Sequence, residues 1–347
     1  DMYAELTAGG NMTYRFNRRS SLGITGYGSD VNFLTKGIEL DFQEWARTPW
    51  GGPFGAVGLS GSYGKSWADV FFEVTRSFDS MDDGGGGIGS IIRGVGTFGT
   101  HEFELSGRYY ADDFANPYAR PIAAPDQLEG LRARDEVGGR LRYTGSFAKR
   151  WNLRANVDVW TRPSDFDPQA FLFLRSDMKI NDQYRWGMWA EYRQSNLEGS
   201  QCRLFFGDQF EISDEDGNPT LCNLDRMAFT GRLRYQPVRK YWFDLQYRHN
   251  IYDGGRHDLS AIGIATAKLS DVLRFRGRLR WNWDDIEDNT NLEQSVWAYF
   301  DLTYRLRAKD RLRLRYDYFV FRDDRASTDD REPNPEHWLW FQYEAKF

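Results

Sequence analysis

The chain has 347 residues, of which 28% are charged and 16% aromatic, with a formal net charge of -6. Mean hydropathy is -0.68 and no apolar run reaches the eighteen or so residues of a spanning helix, while a pI near 5.4 argues against nucleic acid as a partner. So many aromatics beside so much charge do not suit a soluble core; they suit strands that alternate lipid-facing with water-facing side chains and therefore average out as polar.

Period-two alternation predicts strands, in chain order, near 4–16, 22–34, 36–46, 53–66, 67–80, 88–99, 101–114, 135–147, 151–163, 170–181, 184–196, 225–238, 241–253, 259–270, 273–285, 294–307, 310–323 and 337–347. That is about eighteen; sixteen also fits, because Gly-rich stretches blur the first four and the sixth. Residues 273–284 show the pattern best. Leu273, Phe275, Gly277, Leu279, Trp281 and Trp283 alternate there with Arg274, Arg276, Arg278, Arg280, Asn282 and Asp284. A helix would spread those charges round its circumference, whereas a strand puts them on one side. No composition shift or linker divides the chain, so residues 1–347 read as a single domain. The chain opens at Asp1 on strand-like sequence with no signal segment, the form expected of a mature or trimmed chain.

Connections alternate between tight turns, near Lys36, Lys65, Thr100, Lys149, Asp182, Pro237, Asp271 and Lys309, and longer polar loops such as 115–134, 197–224, 286–293 and 324–336. At the C-terminus Leu339, Phe341, Tyr343, Ala345 and Phe347 form an every-other-residue apolar series ending in an aromatic. This series resembles the C-terminal strand signature of Gram-negative outer-membrane proteins that their assembly machinery reads. Joined to the alternation, the resemblance implies an all-β fold: a porin-like transmembrane antiparallel up-and-down β-barrel with short periplasmic turns and long extracellular loops. It also implies an outer-membrane location, contact with the lipid bilayer and lipopolysaccharide, and delivery through the barrel-assembly machinery by the strand ending at Phe347. An even strand count places both termini on the periplasmic side. Trp45, Trp50, Trp67, Trp151, Trp160, Tyr184, Tyr241 and Trp242, near strand ends, are expected to form aromatic girdles at the two interfaces.

Assigning the apolar set of each strand to lipid sends the other set inward. The inward arginines of the later strands are then Arg232, Arg234, Arg248, Arg274, Arg276, Arg278, Arg280, Arg305, Arg307, Arg311, Arg313 and Arg315, against only Asp244, Asp284, Asp301 and Asp317. The first third is acidic, with 15 Asp and Glu against 9 Lys and Arg over residues 1–115. It sends Glu39, Asp41, Asp69, Glu73, Glu102 and Glu104 inward. An arginine wall opposite an acidic wall would favour anionic solutes, since guanidinium stays charged and binds carboxylate or phosphate in a bidentate way. Charges paired across strands would merely solvate the wall. Both readings imply a polar interior, and sixteen to eighteen strands enclose enough width for a channel unless something plugs it.

Two loops could plug it. Residues 115–134 carry Asp126 and Glu129 at the spacing of a capping box, so a short helix from about 127 is expected, folded either inward or outward. Cys202 and Cys222, the chain's two cysteines, fit a single disulfide in an oxidising compartment. That bridge would close a partly apolar lid and stabilise by about 3 kcal/mol on the chain-entropy model. The tip Asp214–Pro219 lacks the spacing of a calcium loop and reads as a polar turn.

Catalysis finds little support. His101, His249, His257 and His337 are scattered, nothing orients Ser260 against His257, and no zinc spacing occurs, so neither an enzyme, a metal nor a cofactor is expected. Gly84–Gly87 is followed by no Lys-Ser/Thr and reads as a flexible hairpin rather than a phosphate loop. Three functions follow as expectations. One is a porin-like channel for small, preferentially anionic solutes. Another is an exporter pore for an acidic polysaccharide, which the chain resembles only in the architecture of arginine-lined eighteen-stranded alginate exporters. The third is a structural or docking barrel of a larger envelope complex with a closed lumen.

Overall fold

The structure is a computed structural model that describes residues 3–33, 52–80, 85–116, 118, 122, 135–164, 166, 168–194, 196–197, 222–223, 225–252, 257–284, 293–306, 310–323 and 335–345. Among them the regular elements are all strands: β1 (Tyr3–Arg15), β2 (Ser21–Phe33), β3 (Gly52–Lys65), β4 (Ala68–Phe78), β5 (Ile88–Phe98), β6 (His101–Tyr110), β7 (Glu136–Phe147), β8 (Trp151–Thr161), β9 (Gln169–Lys179) and β10 (Tyr184–Arg193). A two-residue pair, β11 (Asn196–Leu197) and β12 (Cys222–Asn223), interrupts the series. Then come β13 (Arg226–Val238), β14 (Tyr241–Tyr252), β15 (His257–Lys268), β16 (Leu273–Asp284), β17 (Glu293–Arg305), β18 (Arg311–Asp323) and β19 (Glu336–Glu344). The long strands run from nine residues in β19 to fourteen in β3, enough to cross a hydrocarbon layer at a tilt.

The chain packs as two compact units, the first comprising 1–145 with 155–172 and the second 146–154 with 173–347. In the first, each of β1 to β6 pairs antiparallel with the next strand in the chain. In the second, β10 pairs with β13, and β13 to β19 continue the same up-and-down order. The short turns close tightly. Gly99 has φ 63°, and Ala148 and Lys149 have φ 46° and 57°, the left-handed pair that a two-residue hairpin turn needs. The tight turn expected near Pro237 follows Val238, as the predicted strand bounds require, and Pro237 itself lies in β13 at a register shift between Tyr235 and Val238, a position a strand proline tolerates.

The strand expected over 36–46 falls in residues 34–51, which lie outside the described set. β2 pairs with β1 on one edge and with β3 on the other. Turn 16–20 joins β1 to β2 at the same end as turns 66–67 and 99–100, which puts Tyr3 at the long-loop end of its unit rather than at the short-turn end expected from an even count.

Burial is inverted relative to a soluble protein. In β14, Leu245 is 60% exposed while Asp244 beside it is 7% exposed; in β6, Leu105 is 64% exposed and Ser106 is 4%. Apolar side chains facing outward on strands whose alternate residues are buried and polar need an apolar solvent outside. Strands satisfy their backbone groups across ladders, so this construction crosses a membrane without helices and is that of the Gram-negative outer membrane. The fold class is the one expected, an all-β antiparallel up-and-down transmembrane β-barrel.

The buried polar side of the first unit is held by charge. Arg108 of β6 donates from Nε to Glu136 of β7 and from Nη1 to Asp158 of β8 at 2.6 Å, with all three side chains almost wholly buried. Gly138 leaves the room they need, since a Cβ there would stand 2.8 Å from both Arg108 Cζ and Trp160 Cβ. Removing Arg108 strands two carboxylates in a dry place. Arg108→Ala should therefore lower stability by about 3–5 kcal/mol, read as a lower temperature of heat-induced mobility change in detergent gels. Adding Glu136→Gln and Asp158→Asn should restore most of the loss; no recovery would mean that packing, not charge, sets the site.

Candidate functional site

Ladder register decides which side chains share a face. Along β16, Arg274, Arg276, Arg278 and Arg280 stand opposite Thr303, Asp301, Tyr299 and Trp297 of β17. On its other edge β17 sets Thr303, Asp301 and Tyr299 opposite Arg313, Arg315 and Asp317 of β18. In the same way Arg232 and Arg234 of β13 fall on one face with Asp244 and Arg248 of β14. The parity of each strand adds Arg305 and Arg311 to this face. Thus the second unit gathers every arginine expected inward except Arg307, which lies outside the described residues.

The arginines are not equivalent. Asp244 accepts from Arg232 at 3.0 Å and from Arg234 at 2.8 Å, and Arg248 reaches Glu191 at 3.3 Å. Arg313 pairs with Asp301, and Arg315 with Asp317 at 2.6 Å. The four on β16 have no carboxylate partner among the described residues. Three of them lie over aromatic rings: Arg274 at 5.5 Å from the Trp242 centroid, Arg276 at 5.9 Å from Tyr299, Arg278 at 5.1 Å from Trp297. Arg315 covers Tyr299 at 4.4 Å, and Arg280 donates to Asn282 at 2.9 Å. A ring face attracts a guanidinium by roughly 0.5–2 kcal/mol without neutralising it. The result is a row of oriented, uncompensated positive charge. Arg274, Arg276, Arg311 and Arg313 also surround a cavity of about 290 Å³ shared with Asp301, Thr303, Gln342 and Glu344.

The aromatic members of this face were not expected. Trp297 and Tyr299 alternate with Val296, Ala298 and Phe300, so β17 reads as an unbroken apolar run from its sequence. Their parity with Asp301 and Arg305 puts them on the arginine side, and register with β16 and β18 decides which arginines they meet. Trp242 and Trp160, expected in the interfacial girdles, are corrected likewise. Trp242 shares the arginine face, and Trp160 is 8% exposed beside Arg108 and Gly138. Trp67, Trp151, Tyr184 and Tyr241 keep exposed positions at strand ends, and Trp45 and Trp50 lie outside the described residues.

Of the acidic set, Asp69, Glu73, Glu102 and Glu104 share the polar face of the first unit, the first three exposed on it, whereas Glu39 and Asp41 lie outside the described residues. Glu104 is already shared by Arg140 and Arg142, each at 3.5 Å. The start of the connection after β6 lies across this face. Phe114 fills the space above Gly89, and the Ala115 amide donates to the fully buried Ser77 hydroxyl at 3.1 Å. Tyr27 donates to Asn116 at 2.8 Å, and the Tyr118 ring packs 5.2 Å from Tyr27 and 6.2 Å from Phe54. Of the two directions open to residues 115–134, Asn116 and Tyr118 take the inward one; the expected helix from 127 lies outside the described residues.

Cys202 and the tip 214–219 also lie outside them, as does Phe347. The expected Cys202–Cys222 bridge therefore lies outside the described residues. The backbone of Cys222 pairs with Leu197, which brings the two ends of the connecting loop together. Ser260 and His257 stand at odd separation on β15 and therefore on opposite faces, so they do not assemble a catalytic pair.

No protein-family model matches the chain, and no curated protein does. Among solved structures, the anion-selective porin from Comamonas acidovorans superposes with a TM-score of 0.42 at 11% identity, covering 93% of this chain and 90% of that one. OccAB3 of Acinetobacter baumannii gives 0.42 at 11% identity, covering 99% and 92%. A mutant porin of Rh. blastica gives 0.38 at 9% identity, covering 91% and 94%.

Proposed function

We propose that the chain is an outer-membrane channel that passes small solutes and prefers anions, with the arginine face of β13 to β18 lining its lumen. The observation that carries this reading is the row Arg274, Arg276, Arg278 and Arg280, four guanidinium groups with no carboxylate partner among the described residues. A charge paired with a neighbouring acid cancels at a distance, whereas an unpaired row keeps a positive potential that concentrates anions beside it. Arg313 and Arg315 contribute less to that potential, because Asp301 and Asp317 offset them.

The aromatic platforms favour a second reading of the same face. Trp297, Tyr299 and Trp242 offer flat apolar surfaces beside cations, the pairing that suits a sugar ring bearing a carboxylate. An exporter pore for an acidic polysaccharide would use both.

Planar-bilayer recordings under a KCl gradient test the first reading. The purified chain should conduct with a reversal potential of the sign for chloride preference, weakening as salt rises because the Debye length shrinks from about 10 Å at 0.1 M to about 3 Å at 1 M. A chain that inserts but stays silent is no channel. Arg276→Ala with Arg278→Ala should reduce the anion preference several-fold without stranding an acid. Adding Arg313→Ala and Arg315→Ala should reverse it, since Asp301 and Asp317 then stand alone. Unchanged selectivity in the quadruple variant would reduce the row to wall solvation. Current block by an oligouronate, lost in Trp297→Ala, would favour the polysaccharide reading over free diffusion of small ions.

A further inference from the structure

A second concentration of positive charge lies at the short-turn end of the second unit, on strands that take no part in the β16 row. Turn 148–150 holds Lys149 in the left-handed conformation and presents it together with Arg150. The Lys179 amide donates to the Arg150 carbonyl at 2.8 Å, which fixes this turn against the end of β9. Arg185 projects from the start of β10, opposite Arg234 of β13, and Arg232 stands opposite Gly187. Together these residues line an open cavity of about 440 Å³.

The charges around it are unequally satisfied. Arg175 is held by Asp177 at 2.7 Å, Lys179 by Asp182, and Arg232 and Arg234 by Asp244. Lys149, Arg150 and Arg185 have no carboxylate within ion-pair distance among the described residues. All three are exposed, so they reach a solute without moving. Gly187 forms part of the wall, and a Cβ there would stand 2.9 Å from Asp177 Oδ1. Its missing side chain keeps the cavity open and leaves Asp177 free to hold Arg175 in place. The volume lies within the range of small-molecule sites.

We propose that this cavity binds a small, multiply charged oxyanion, a polyphosphate or polycarboxylate, with Lys149, Arg150 and Arg185 supplying the unpaired charge. Arg175, Arg232 and Arg234 act as pre-oriented walls. A single chloride gains little from three converging cations, whereas an anion with several charged oxygens meets all of them, two in the bidentate manner of guanidinium. The site stands on its own geometry and needs neither an open pore nor the β16 row.

Titrating pyrophosphate into the full chain refolded in detergent micelles at low salt, followed by calorimetry, tests it. The expected result is binding at one site per chain, weakened at least tenfold in the triple variant Lys149→Asn, Arg150→Gln, Arg185→Gln; asparagine tolerates the left-handed turn position. Arg93→Gln in the first unit, which removes one exposed arginine elsewhere, should bind as the parent does. Absence of binding, undiminished affinity in the triple variant, or an equal loss in Arg93→Gln would each overturn the proposal, the last by showing attraction to overall charge alone. Conductance of the parent chain, set beside its pyrophosphate binding, separates the two readings. A chloride preference without pyrophosphate binding leaves the channel standing and this site refuted. Pyrophosphate binding by a chain that never conducts does the reverse.

Discussion

A peptide group left unpaired in hydrocarbon costs several kcal/mol, and a chain with no apolar helix can avoid that cost only by pairing strand with strand. Everything else in this protein depends on that pairing. Each ladder sets the register of the next, and because side chains alternate, one register decision assigns every residue of a strand to lipid or to water. Leu245 exposed beside buried Asp244 is one instance of a rule repeated along both units.

The two units solve the problem of buried charge differently. In the first, Arg108 is enclosed by Glu136 and Asp158, so its charge is consumed locally and serves cohesion. In the second, Arg274, Arg276 and Arg278 of β16 lie on aromatic faces that orient them without cancelling them. An ion pair and a cation–π contact both hold a guanidinium still. Only the second leaves its field available to a solute. The aromatics of β17 thereby convert a row of wall charges into a candidate selectivity element.

The connection after β6 adds a different constraint. Phe114, Asn116 and Tyr118 are anchored on the strands of the first unit by a glycine-floored space, two hydrogen bonds and ring packing. Polar-face area there is occupied by the chain's own loop. The arginine face and the cavity beside turn 148–150 belong to the other unit.

Strand identity and facing were legible in the residues alone. Arg274 to Arg280 on one side and Leu273 to Trp283 on the other leave a strand as the only reading, and the arginine set follows from parity without coordinates. Two things did not follow. Trp297 and Tyr299 share the parity of Asp301 and Arg305, but which arginines they meet depends on register against β16 and β18. The separation of paired from unpaired arginines was equally hidden, because Asp301 serves Arg313 rather than Arg276 by side-chain reach across a ladder, not by distance along the chain. Alternation is a property of one strand and can be read from one strand. Which charges remain free is a property of three adjacent strands, and only tertiary structure decides it.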